Sequence, residues 1–127
     1  MSLIEVTIAG SLLAVGAAAL LSAWSTIGGI LEHQRRLGEA TNIVRTQLDA
    51  VLGLPAGDAA LTAGAHNVGF RDVFGGVGPS ANNVFYAVDY DVAADTPGPG
   101  FVSVTVRARW SERGVPRSTS LLSFRER

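Results

Sequence analysis

The polarity pattern along this chain changes twice, and its three parts predict three kinds of structure. Residues 1 to 31, MSLIEVTIAGSLLAVGAAALLSAWSTIGGIL, carry one charge, Glu5, followed by twenty-six uncharged residues from Val6 to Leu31. As a helix that run extends about 39 Å, enough to cross a hydrocarbon core of about 30 Å with some tilt. From Glu32 to Gly53 the apolar positions thin out to Leu37, Ala40, Val44, Leu48, Val51 and Leu52, mostly at spacings of three and four. That period puts them on one helical face. A single helix of about 80 Å is therefore expected, uniformly apolar first and amphipathic afterwards. Gly53-Leu54-Pro55 stops it: Gly takes the left-handed position after a C-terminus, and Pro cannot continue a helix.

The third pattern has period two. Val84, Tyr86, Val88, Tyr90 and Val92 share one face of a strand with Asp89 and Asp91 on the other; Val102, Val104, Val106, Ala108 and Trp110 share a face with Arg107 and Arg109 opposite. Between them, Asp95-Thr96-Pro97-Gly98-Pro99-Gly100 must turn. A third run, Arg117 to Phe124, follows the turn Glu112-Arg113-Gly114. These runs make an antiparallel meander. Pairing Asp89 with Arg109 and Asp91 with Arg107 also sets Val88 by Trp110, Tyr90 by Ala108 and Val92 by Val106, so one register satisfies both faces. Residues 54–82, rich in Gly, Ala, Asn and Asp with an apolar cluster at Val68, Phe70, Val73 and Phe74, read as a loop laid over the head, with room for one short helix or strand.

The expected fold is α+β, a long N-terminal α-helix packed against a small antiparallel β-sheet head. Residues 1–31 form a transmembrane or filament-core helix and residues 32–127 the head, made of the amphipathic helix (32–53), the connecting loop (54–82) and the meander (83–127). The seventy-four residues after Gly53 would bury only a thin core alone, so the helix from Glu32 belongs to the head.

Composition narrows the chemistry. With 127 residues, 17% charged and a net charge of −1, the chain makes one compact domain plus the apolar helix and has no basic surface for nucleic acid. Without Cys there are no disulfides, thiolate metal sites or thiol chemistry, so an exported head must be held by packing. His33 and His66 lie far apart without paired ligands and read as surface residues. Asp89, Asp91 and Asp95 lack the spaced loop of a calcium site, so no metal or cofactor is expected. No nucleophile motif occurs, and the chain is not expected to be an enzyme. A cleaved secretory signal would need positive charge before its apolar region, whereas the only charge before residue 32 is negative. Glu32, Arg35, Arg36 and Glu39 cancel, so the charges present give no orientation. Gly10, Gly16, Gly28 and Gly29 each weaken the helix by roughly 1 kcal/mol relative to Ala, which suits either a helix that bends in a filament or close helix packing in lipid.

Glu5 carries the functional argument. A carboxylate at the start of a membrane span is costly unless a cation meets it. The nearest available cation is an α-amino group, and a neighbouring copy or homologue displaced along the helix axis would bring its own to Glu5.

Met-Ser-Leu-Ile-Glu-Val followed by an apolar helix resembles the mature N-terminus of type IV pilins and type II secretion pseudopilins. In that family a leader ending in Gly is cut by a prepilin peptidase, leaving an N-methylated residue with Glu at position five. The resemblance covers about thirty residues and implies that Met1 is the N-methylated residue and that Met1 and Glu5 dock subunits. It departs at Met1, usually Phe in the family, which leaves Met1 as either the processed residue or an initiator. It departs again at Ser22, where many major pilins have Pro. The strand region VSVTVRARWSERGVPRSTSLL resembles the C-terminal end of pilus-modification minor pilins and of the I-class pseudopilin. The resemblance implies a minor type IV pilin, built into a pilus or its tip or priming complex through its N-terminal helix. Its partners would be other pilins or pseudopilins, the inner-membrane assembly machinery, and the peptidase acting on the precursor. It would reside as a single-pass protein in the inner membrane before assembly, then in a periplasmic or cell-surface filament. A type II secretion minor pseudopilin and a membrane-anchored binding protein that never polymerises are the alternatives.

Overall fold

The computed structural model describes residues 2–72 and 85–126. Helix α1 spans Leu3–Leu52, a 3-10 turn spans Ala59–Leu61, and four strands follow: β1 Gly64–Arg71, β2 Tyr86–Ala94, β3 Phe101–Glu112 and β4 Val115–Glu126. The strands form one antiparallel sheet in the order β1-β2-β3-β4. The architecture is α+β, a long N-terminal helix packed on an antiparallel sheet, as its periodicities require. The chain divides into two compact units, Met1–Arg35 and Arg36–Arg127. Helix α1 contributes to both units.

In the second unit, Ala40, Val44, Leu48 and Val51 are buried at helical spacing against Tyr86, Val88, Tyr90 and Val92 of β2 and Val102, Val104, Val106, Ala108 and Trp110 of β3. Every described residue assigned to the apolar faces of these two strands is in the core. Val73, Phe74 and Val84 lie outside the described residues. Leu37, Ile43, Leu52, Leu61, Val68 and Leu121 pack around this cluster, half-buried.

The expected register is off by two residues. Asp89 stands opposite Arg107, not Arg109; Asp91 stands opposite Thr105, Val88 opposite Ala108, Tyr90 opposite Val106 and Val92 opposite Val104. An even slip leaves every side chain on its own face, so face chemistry could not distinguish the two registers. The turn distinguishes them. The expected register sets Pro97, which has no N–H, opposite Phe101. In the observed one, Asp95 donates its N–H to Phe101 O at 2.8 Å and its carboxylate accepts from Gly100 N–H at 3.3 Å. Gly100 takes φ 84°, which a glycine adopts without strain. The ion pair survives as a diagonal: Asp89 Oδ1 lies 2.9 Å from Arg109 Nη2, and Oδ2 lies 4.0 Å from Arg107 Nη1.

Two further differences concern the loop and the helix stop. The loop contains a full strand, β1, which pairs with β2 through a register shift between Asn67 and Gly69, and the meander therefore has four strands instead of three. Helix α1 does end at Leu52, but Gly53 is not in the left-handed region. Its N–H bonds to Asp49 O at 3.0 Å, continuing the helical pattern for one residue. The hairpin β3–β4 turns through Arg113 and Gly114, with φ of 51° and 78°, the two-residue turn whose twist matches paired strands.

Candidate functional site

The N-terminus of α1 builds a small polar device around Glu5. Ser2 precedes the first helical residue; its Oγ accepts from Ile4 N–H at 3.4 Å, and the Glu5 carboxylate accepts from Ser2 N–H at 2.9 Å. This is a variant of the Ser-x-x-Glu capping box, with the Ser2 hydroxyl taking the N–H of Ile4 instead of that of Glu5, and it satisfies helix-end donors that have no helical partner. The negative charge also lies in the first turn, where the helix dipole favours it. The motif is readable in the sequence as Ser2-Leu3-Ile4-Glu5. Met1 lies outside the described residues, so the structure places one of the two expected docking residues.

Beyond Glu5, the surface of α1 up to Leu31 is uncharged and mostly apolar, and the hydroxyls of Thr7, Ser11, Ser25 and Thr26 donate back to carbonyls of the helix itself. Leu3 is 84% exposed and Trp24 81%, and the large apolar residues between them are all exposed. Among the described residues α1 is the one helix long and apolar enough to cross a membrane, and its most apolar stretch is not buried within the chain. A Cβ added at Gly10, Gly16 or Gly28 would meet nothing within 4 Å, so no contact inside the chain requires glycine there.

The head carries polar contacts of a different kind. Tyr86, fully buried on β2, donates its hydroxyl to Glu39 Oε2 at 2.7 Å, and burial followed by this bond holds its pKa well above the usual 10.0. Tyr86 also packs edge-on against Trp110, with ring centroids 5.7 Å apart. His66 is not a free surface residue. Its ring stacks on Tyr90 at 4.7 Å, and its Nε2 lies 2.9 Å from Thr62 O, while Tyr90 donates to Ala60 O at 3.1 Å. Together they fasten the 3-10 turn to the sheet. Burial, then the neighbouring Asp58 charge, raises the Tyr90 pKa.

At the far end of the head, Arg125 of β4 donates from Nη1 to Leu52 O at 2.8 Å and also to Leu54 O. The guanidinium thus satisfies the orphan carbonyl of the last helical residue and that of Leu54 just beyond it. No local pattern announces this, because the partners lie more than seventy residues apart in sequence. A cavity of about 140 Å³ beside it is lined by Leu61, Val102 and Val104 with Asp58 and Arg125. Among the described residues, no three His, Asp or Glu side chains converge in a manner that could hold a metal.

No family model, curated protein or solved structure matches this chain. The resemblance therefore rests on the residues that carry it, and function must be argued from the exposed apolar helix and its capped carboxylate.

Proposed function

We propose that this chain is a pilin-like subunit, a minor pilin of a type IV pilus, that enters a filament through its N-terminal helix. The observation that supports this is the half-helix itself: a long, wholly exposed apolar surface with one carboxylate in its first turn. Such a surface is stable only in lipid or against other apolar helices. A filament core built from neighbouring copies supplies the second environment after the first. In that core Glu5 meets the α-amino group of residue 1 of a neighbour, while its capping-box bond to Ser2 holds the carboxylate at the helix end. The head then presents the sheet and its loop outward. The role is structural; no chemistry on a substrate is proposed.

The test exploits the capping box. Gln replaces Glu in that motif without loss of the acceptor, so Glu5→Gln removes charge while keeping the cap, whereas Glu5→Ala removes both. Leaving a buried charge without its partner costs about 3 to 5 kcal/mol, roughly a hundredfold to a few thousandfold in incorporation. In cells lacking the native copy, Glu5→Gln should reach normal membrane levels and be depleted from sheared filaments. Undiminished incorporation of Glu5→Gln would refute docking through the charge. Wild-type chain absent from filaments would refute the filament reading and favour a membrane-anchored protein that does not polymerise.

A further inference from the structure

The sheet has two edges, and they are treated differently. On β1 the register shift at Asn67 and Gly69, with Gly69 at φ 88°, interrupts the edge, a common way to discourage further pairing. Strand β4 has no such guard. Its pairing with β3 runs unbroken from Val115 to Glu126, and Ser118 to Phe124 contains neither charge nor Pro. Among the described residues nothing pairs with its outer side.

The hairpin geometry says which backbone groups are free. A two-residue turn at Arg113-Gly114 makes Glu112 and Val115 the closing hydrogen-bonded pair, after which bonded and non-bonded positions alternate. Ser118, Ser120, Leu122, Phe124 and Glu126 therefore aim N–H and C=O at the open edge. Pro116 falls in the same set, where its missing N–H costs no bond to β3. The same alternate residues are exposed on the solvent face of the sheet, with Leu122 55% and Phe124 50% exposed. Free ladder groups and exposed apolar side chains thus coincide on one strand.

We propose that β4 pairs with β4 of a second copy of this chain, antiparallel about a twofold axis at Leu122. The strand is complementary to itself in this sense. Leu122 meets its own copy, Ser120 stands opposite Phe124, and Ser118 stands opposite Glu126. Glu126 of one copy then shares a cross-strand row with Arg109 of the other, which lies opposite Ser118 in the sheet, two strands or about 10 Å away over a small side chain. A parallel arrangement would instead set Glu126 against Glu126 and Arg117 against Arg117, which like-charge repulsion opposes. Every outward N–H and C=O from Ser118 to Glu126 finds a partner. The inference stands apart from the filament reading, since such a pair forms from two chains alone.

The chain contains no cysteine, so a single introduced thiol reports the contact cleanly. Full-length chain carrying Leu122→Cys, dispersed in detergent micelles, is treated with a short bismaleimide and compared with Ala65→Cys on the guarded edge. Association through the apolar helix alone would affect both equally. The expected result is at least tenfold more covalent dimer from Leu122→Cys. Adding Ser120→Pro, which removes an outward N–H and leaves the bonds to β3, should lower it to the Ala65→Cys level. Phe124→Asp at an exposed site should do the same without altering the backbone. Circular dichroism confirms that each variant is folded. Equal cross-linking at both edges, dimer that persists in both variants, or a chain monomeric at every concentration would each overturn the proposal; the last would leave the edge to a strand of another protein.

Discussion

The two parts of helix α1 belong to one unbroken helix and have opposite burial. Between Leu3 and Arg35 the large apolar side chains are all exposed, while between Arg36 and Leu52 four apolar residues, Ala40, Val44, Leu48 and Val51, are nearly sealed. Hydrophobicity alone therefore does not predict what a segment buries. Periodicity does: the second part confines its apolar residues to one stripe that a single sheet face can cover, whereas the first, from Val6 to Leu31, has apolar residues all round and would need neighbours or lipid on every side. The head is complete with its stripe covered, and the apolar part is unfinished within one chain.

The largest test of that contrast is where the chain is cut. Residues 29–127 should be soluble and folded, since the removed part completes nothing in the head. Residues 54–127 should aggregate, because Val88, Val104 and Val106, all nearly inaccessible to water, would lose the helix that covers them. Size-exclusion chromatography and circular dichroism read both outcomes, and equal solubility of the two fragments would show that the helix after Glu32 does not complete the core.

A single residue sharpens the same comparison. Val44→Ala should destabilise the head by about 2 kcal/mol, from lost transfer energy and the cavity left among Val88 and its neighbours. Val15→Ala, at a site 69% exposed, should leave head stability unchanged in detergent. Urea unfolding of both variants checks the pair, and comparable shifts in midpoint would mean that the apolar part of α1 does contribute to the head's fold.

How far each feature was legible follows from the range of its cause. The helix, its amphipathic stripe and the facing of β2 and β3 depend on neighbours a few residues apart, and all were readable. Register was not, because two registers separated by two residues satisfy the same faces, and the choice fell to Asp95, Pro97 and Gly100 in the turn. Strand β1 was obscured because its bulge breaks the alternation that marks a strand, leaving His66 and Val68 as inward positions in a glycine-rich run. The helix cap is local too, carried by Ser2-Leu3-Ile4-Glu5, four consecutive residues. The Arg125 contact with the helix end was not legible at all, since it depends on the finished sheet bringing β4 beneath Leu52.

That contact supplies the next prediction. Arg125→Met retains much of the apolar stem and removes the donors to the Leu52 and Leu54 carbonyls. Hydrogen bonds from a charged donor at a half-buried site make the expected loss about 1 to 2 kcal/mol. Hydrogen exchange should locate it in the last turn of α1 and spare the turn near Ala40. Uniform loss of protection along the helix would show that Arg125 supports the whole head instead of capping one end.

The smallest expected effect belongs to Tyr86, where the helix and sheet share a polar bond inside an apolar contact. Tyr86→Phe removes the hydroxyl donated to Glu39 and should cost about 1 kcal/mol at neutral pH. The pH dependence identifies the group. Burial, then the bond to Glu39, raises the folded-state pKa of Tyr86 above 10.0, so the folded state keeps its proton where the unfolded chain releases it. The stabilising contribution is fully present below about pH 10 and declines as pH rises from there toward the folded-state value. Tyr90 shifts in the same direction, so wild-type stability should fall through both residues, and Tyr86→Phe should fall less steeply. In residues 29–127 Trp110 is the only tryptophan and lies edge-on to Tyr86, so its fluorescence follows unfolding at each pH. Parallel stability curves for wild type and Tyr86→Phe between pH 9 and 11 would show that the buried hydroxyl does not join the helix to the sheet as described.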